Sequence, residues 1–212
     1  MILRESEKIW VLGTFLGVTA LLAALILALV SQWTAGPIRL SGERNRTKMF
    51  YRLLLPDFDR VGKEVKIGKL TYLPVFKSDK CVGFIGQGSN WLGYSGEVEA
   101  MVGFSSDGKI TAVQILHHKE TPGLGANVCD RKFQRTIFNL TDKAPEVPAN
   151  KILDQFAGKN SSQAGNWKIL KDGGEFDYLT GATVSSRAVT ALVDEIAAGF
   201  AKYREQISGG KR

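Results

Sequence analysis

The sequence predicts an α+β chain: one N-terminal transmembrane helix, then a soluble domain built from an antiparallel sheet and packed helices. Three observations predict it. A long run without charge, Ile9 to Val30, comes near the start. Short β-type stretches are gathered mainly in residues 69–116. The C-terminal residues then repeat their apolar positions at helical spacing. Strands gathered in one part of a chain and helices in another favour an antiparallel sheet over alternating βαβ units.

The uncharged run reads "IWVLGTFLGVTALLAALILALV", 22 residues. As a helix it rises roughly 33 Å, enough to cross a bilayer core. Charge stays absent as far as Ile38, and Trp10 and Trp33 flank the run where interfacial aromatics belong. A cleaved leader has a shorter apolar region followed by a small-x-small pattern, which "SQWTAG" lacks, so residues 9–30 are expected to be an uncleaved anchor after a short segment 1–8. Arg4 and Lys8 precede the run, while Arg39, Arg44, Arg46 and Lys48 follow it. That count favours a cytoplasmic C-terminal side, but long domains are translocated largely regardless of charge. Residues 31–62 read as a juxtamembrane stalk. Its helix ends before Pro56 and carries the stripe Met49, Phe50, Leu53 and Leu54.

The soluble domain is expected over 63–205. Its strands are "KLTYLPVF", "CVGFIGQ", "GEVEAMVGF" and "KITAVQIL", separated by Gly, Ser, Asn and Asp, with Ser106-Asp107-Gly108 turning the last two into a hairpin. A Gly-rich loop follows, then a helix from about Asp130. "WKILKDGGEFDYL" reads as a short strand with a Gly-Gly turn. The last element is a helix starting near Thr183, with Val189, Leu192, Val193, Ile196, Phe200 and Tyr203 on its apolar face. Residues 206–212 are a flexible tail.

With 44% apolar and 23% charged residues, most of the 212-residue chain should fold around a core. The net charge of +7 is scattered, and no long basic run marks a nucleic-acid partner. Cys81 and Cys129 fit no metal motif; a disulfide outside the cytoplasm and two buried thiols are both compatible with the sequence. Gly83 to Gly88 lacks the strand–GxGxxG–helix context of a dinucleotide site and reads as turns between strands. His117 and His118 are adjacent at a strand end and point to opposite faces, so they do not chelate one metal.

Two loops carry chemistry. In Glu120-Thr121-Pro122-Gly123-Leu124-Gly125, Pro then Gly suits a type II turn. It is either a plain tight turn or a surface for a flat heterocycle, with Leu124 to pack on and bare amides for ring atoms. In "DYLTGATVSSR", Thr183 stands where a helix begins, so it is either a helix cap or the neighbour or acceptor of a phosphate. Arg187 lies one turn on and would add charge, while Gly181 and Ala182 leave the Thr183 hydroxyl accessible.

Together "GYSGEVEAMVG", "HHKETPGLGA" and "WKILKDGGEFDYLTGATVSSRAV" resemble the FMN-binding domain family shared by the G subunit of the Rnf electron-transport complex and the C subunit of sodium-translocating NADH:quinone reductase. The resemblance runs from about Trp91 to Phe200. In that family FMN is joined through its phosphate to the last threonine of Asp-x-x-Ser/Thr-Gly-Ala-Thr, which Asp177, Thr180, Gly181, Ala182 and Thr183 match in order. The resemblance therefore implies covalent FMN on Thr183, formed by a flavin transferase. It also implies that Glu120, Thr121, Leu124 and Gly125 lie against the isoalloxazine ring, with Lys168 balancing the phosphate and Trp167 in the core. Its other implications are an inner-membrane location with the N-terminus cytoplasmic and the FMN domain periplasmic, or on the outer side in a cell with one membrane, and partnership with the remaining Rnf subunits in an ion-translocating ferredoxin:NAD oxidoreductase. The rival reading is a non-redox tethered module for ligand binding or assembly, in which Thr183 only caps a helix.

Overall fold

A computed structural model of the chain describes residues 10, 13–28, 54–55, 58–131 and 148–209. By its contacts the chain divides into two compact units, 1–48 and 49–212. In the first, residues 13–28 form helix α1, whose apolar side chains are exposed. Among the described residues no helix is long and apolar enough to cross a membrane. Residues 9, 11–12 and 29–30 of the expected span lie outside the described residues, as do Met49, Phe50 and Leu53 of the stalk helix.

The second unit holds a six-stranded antiparallel sheet. Its strands are β1 (Arg60–Val61), β2 (Val65–Ile67), β3 (Leu70–Lys77), β4 (Lys80–Gly93), β5 (Gly96–Ser105) and β6 (Ile110–His117). The order is β1-β3-β4-β5-β6, with β2 also pairing along β3. The four strands read from sequence are β3 to β6. Ser78 and Asp79 both have positive φ, as a two-residue hairpin turn between β3 and β4 requires. β1 falls at the end of the stretch read as stalk and pairs with Phe76 and Val75 of β3.

Short helices α2 (Ala126–Cys129) and α3 (Lys151–Asp154) precede the long helix α4 (Thr183–Gly209). α2 is a single turn that ends just before Asp130, and the helix expected from Asp130 lies mostly outside the described residues. Asn150 joins the two turns. Its side-chain oxygen accepts from the amides of Ile152 and Leu153, while its Nδ2 donates to the carbonyls of Asn127, Val128 and Asp130. The strand expected in "WKILKDGGEFDYL" is instead a loop closed by one bridge, Ile169 with Phe176, around a 3-10 turn at Leu170–Asp172. The reason is spacing. Gly173 takes a left-handed conformation at the end of that turn, which ends any pairing before a ladder can form.

α4 packs across β3, β4 and β5. Phe200 stacks on Phe104 with ring centroids 4.3 Å apart and tilts against Phe84 at 5.1 Å. Tyr72, fully buried, donates its hydroxyl to the Ile196 carbonyl at 2.8 Å. Burial, helped by the Glu195 charge, pushes that hydroxyl above its usual range. Gly83 to Gly88 is not a set of turns: it is the middle of β4. A Cβ on Gly86 would stand 2.7 Å from Ile196 Cγ2, so the bare strand is what lets α4 approach. On the opposite face a smaller cluster joins Leu54 and Leu55 to Val75, Ile85 and Met101.

Candidate functional site

The first turn of α4, the turn between β4 and β5, and the Glu120-to-Gly125 loop enclose a cleft of about 670 Å³, within the usual range of small-ligand sites. It is lined by Tyr94, Glu120, Thr121, Leu124, Gly125, Lys171, Gly181, Ala182, Thr183, Val184 and Ser185. Most residues expected at the site therefore meet in one place. Two do not line it. Thr180 is exposed outside the cleft, and Lys168 is exposed while its carbonyl accepts from the Phe176 amide. The cation at the cleft is Lys171, three residues further along the same loop.

Gly181 has φ +89°, a left-handed conformation that admits glycine most readily, and it sets the bend from which α4 starts. The Ala182 amide closes back on the Leu179 carbonyl, and the first bond of the helix proper runs from the Ser186 amide to the Ala182 carbonyl. Among the described residues, the amides of Thr183, Val184 and Ser185 have no backbone acceptor, as expected for a helix start. These donors and the helix dipole favour an anion there.

Four hydroxyls surround this turn, and their hydrogen bonds separate them. Ser186 is fully buried and donates to the Ala182 carbonyl at 3.0 Å. Ser185 is buried and donates to Glu120 Oε2 at 2.6 Å. Among the described residues, Thr180 and Thr183 have no side-chain hydrogen bond, and of these two only Thr183 lines the cleft. Thr183 is half-buried and its hydroxyl caps no amide. This geometry disfavours the simple helix cap.

The loop forms the expected type II turn: Gly123 has φ +81° and the Leu124 amide returns to the Thr121 carbonyl at 3.2 Å. The Ala126 amide binds the same carbonyl, so the loop offers fewer bare amides than the sequence implied. Leu124 is exposed at the cleft mouth. Glu120 lines the cleft but is buried, and its two oxygens accept from Ser185 and from the Ser95 amide. Arg187 is committed as well. Its Nε and a terminal nitrogen hold the two oxygens of Asp172 at 2.6 and 2.7 Å, which keeps Asp172 below the usual carboxylate range. Asp177 lies outside the cleft, its backbone braced by Gln155.

Cys81 and Cys129 are free thiols. Burial, with the Glu120 and Asp130 charges nearby, pushes the Cys129 thiol up to about 12, so it stays protonated. Trp167 packs at the edge of the main core, as expected. Sequence reasoning missed Tyr94, Val184 and Lys171. Tyr94 left a trace: "NWLGYSG", the end of β4 and the turn after it, carries Trp91, Leu92 and Tyr94, three exposed aromatic or apolar side chains around one turn.

Residues 93–198, half of the chain, match the family described as FMN-binding domain. Several similar proteins are named as the G subunit of an ion-translocating oxidoreductase complex. That of Aliivibrio fischeri strain MJ11 is 35% identical over 117 residues, 54% of this chain and 48% of its own length. That of Pseudoalteromonas atlantica is 37% identical over 115 residues, 54% of this chain and 46% of its own. The matched region thus spans about half the length of these two relatives. The protein of that name from Cereibacter sphaeroides strain ATCC 17029 aligns more widely, at 27% identity over 92% of this chain and 85% of its own.

Proposed function

The chain belongs to the FMN-binding domain family, and on that premise we propose that it is a membrane-anchored electron-transfer subunit of an ion-translocating ferredoxin:NAD oxidoreductase complex, with FMN esterified to Thr183. The relatives' names support the complex. The single observation that carries the attachment is the Thr183 hydroxyl, without a hydrogen-bond partner among the described residues and lining the cleft, while the neighbouring Ser185 and Ser186 hydroxyls are engaged.

The cleft fits the group. Leu124, Val184 and Tyr94 offer apolar surface for a flat ring, and the first amides of α4 with Lys171 offer an anion site for its phosphate. FMN, when bound, supplies one- and two-electron transfer. The Thr183 oxygen gives up its proton as it becomes one ester arm of a phosphodiester. A flavin transferase supplies the flavin from an activated flavin nucleotide, whose other half leaves as the new O–P bond forms. Gly181 keeps the approach to that oxygen open; a Cβ there would reach Leu124 Cδ2 at 3.7 Å. Ser186 and Ala182 hold the turn that presents it. A covalent tether keeps the carrier at high effective concentration in an open compartment.

The uncharged run at 9–30 is read as the anchor, with the soluble domain on the periplasmic side of the inner membrane. A cysteine introduced at Ser208 should react with an impermeant thiol reagent once the outer membrane is permeabilised. Protection until the inner membrane is broken would contradict that orientation. For the attachment, chain co-expressed with a flavin transferase should be yellow, and its Thr183 peptide should gain the mass of FMN less water. A colourless chain would remove the basis of the reading.

A further inference from the structure

Glu120 is a buried carboxylate, 5% exposed, with no cationic partner among the described residues. Burial of such a group is costly unless its oxygens are hydrogen-bonded. Both are. Oε2 accepts from the Ser185 hydroxyl at 2.6 Å, and Oε1 accepts from the Ser95 amide at 3.2 Å. The Glu120 amide donates to His118 Nδ1 at 3.2 Å, which leaves His118 Nε2 to donate to Asp130 at 2.8 Å. Glu120 therefore joins three elements that border the cleft: the first turn of α4, the β4–β5 turn, and the loop before Pro122. Two glycines make room for it. A Cβ on Gly93 would lie 2.7 Å from Oε1, and one on Gly125 would lie 2.3 Å from Oε2 and 2.5 Å from Ser185 Oγ.

The geometry points to Glu120 as a positioning residue: by drawing Ser185 inward and holding the β4–β5 turn, it sets the roll of the first turn of α4 and so turns the Thr183 hydroxyl into the cleft. This inference rests on the reading of Thr183 as the flavin acceptor. Thr183 and Ser185 share the first turn of α4 and both line the cleft, so fixing the Ser185 side chain fixes the turn that carries Thr183. The same bond engages the Ser185 hydroxyl, the other hydroxyl of that turn that lines the cleft. Glu120 thus acts on the acceptor through Ser185.

The test uses the full-length chain in detergent. Hydrogen exchange of the Ser95 amide is measured in the unloaded Thr183→Ala chain, with and without Ser185→Ala or Ser185→Thr. Flavin loading of the corresponding Thr183 chains, co-expressed with a flavin transferase, is read as fluorescence per protein on a denaturing gel. Ser185→Ala should speed Ser95 exchange about tenfold, because the carboxylate loses the donor that fixes it. It should lower loading by about tenfold as the acceptor loses its alignment. Ser185→Thr keeps a hydroxyl and should restore both. Glu120→Gln removes the charge at constant size and should give the same two effects if Ser185→Ala does not fold. Unchanged Ser95 exchange, or unchanged loading, in a folded variant overturns the proposal. A wild-type chain that takes no flavin overturns the reading of Thr183 instead, and the Ser95 exchange still decides whether the clamp exists.

Discussion

The two ends of α4's buried stretch do different work. From Val189 to Phe200 the helix buries Leu192, Val193, Ile196 and Phe200 completely against the sheet. Over its first turn Thr183 is half-buried and Val184 exposed, beside a cleft. One helix thus carries a rigid half and an open half. The packed half fixes where the open half begins, and the Ser185 and Ser186 hydrogen bonds then hold the turn that presents the Thr183 hydroxyl. The same division explains why the site tolerates unpartnered amides: their residues line the cleft, where water or an anion can satisfy them.

The sharpest way to break the comparison is at the packed half. Phe200→Ala removes the ring that stacks on Phe104 and should cost roughly 3–5 kcal/mol in denaturant unfolding. Whatever fraction still folds should load flavin normally, since Phe200 lies about five turns along the helix from Thr183. A folded but flavin-free Phe200→Ala chain would show that the two halves are not separable.

A smaller effect is expected at the open half. Gly125→Ala drives a methyl into Glu120 and Ser185, so it should destabilise by about 1–3 kcal/mol and lower flavin loading together. Smaller still is the stability change in Thr183→Ala. A capping threonine would cost about 1 kcal/mol on removal. The Thr183 hydroxyl makes no such bond, so the loss should stay within about 0.5 kcal/mol for flavin-free chain.

Least of all should follow from the exposed pair Arg187–Asp172. Arg187 holds the Asp172 carboxyl below its ordinary value of 3.8. A group shifted this way contributes above its unfolded-state value and loses that contribution as pH falls through its lower folded-state value. The unfolding temperatures of wild type and Asp172→Asn should therefore differ slightly at neutral pH and converge as pH drops below 3.8. A gap that widens in acid would contradict the assigned pairing.

How far the sequence reveals this molecule depends on the range of the interaction. β3, β5 and β6 are legible because residue alternation and local turn signals define them. β4 is harder: Gly86 and Gly88 resemble punctuation until Ile196, more than a hundred residues on, is seen to need the space, and Gly83 until Leu55 is. Thr183 is legible through a contiguous motif. Glu120 is visible as a loop residue, but its burial depends on Ser185, 65 positions away, and no local pattern reports that. Lys168 and Lys171 look equivalent in sequence. The 3-10 turn at Leu170–Asp172 decides between them by bringing Lys171 to the cleft.

The most direct test is a denaturing gel of wild type and Thr183→Ala, each co-expressed with a flavin transferase and viewed for flavin fluorescence before staining. The expected result is a bright wild-type band and a dark Thr183→Ala band. Two bright bands would move the acceptor to Ser185, Ser186 or Thr180 and contradict the central claim. Two dark bands would leave the chain without a covalent flavin and contradict it more deeply.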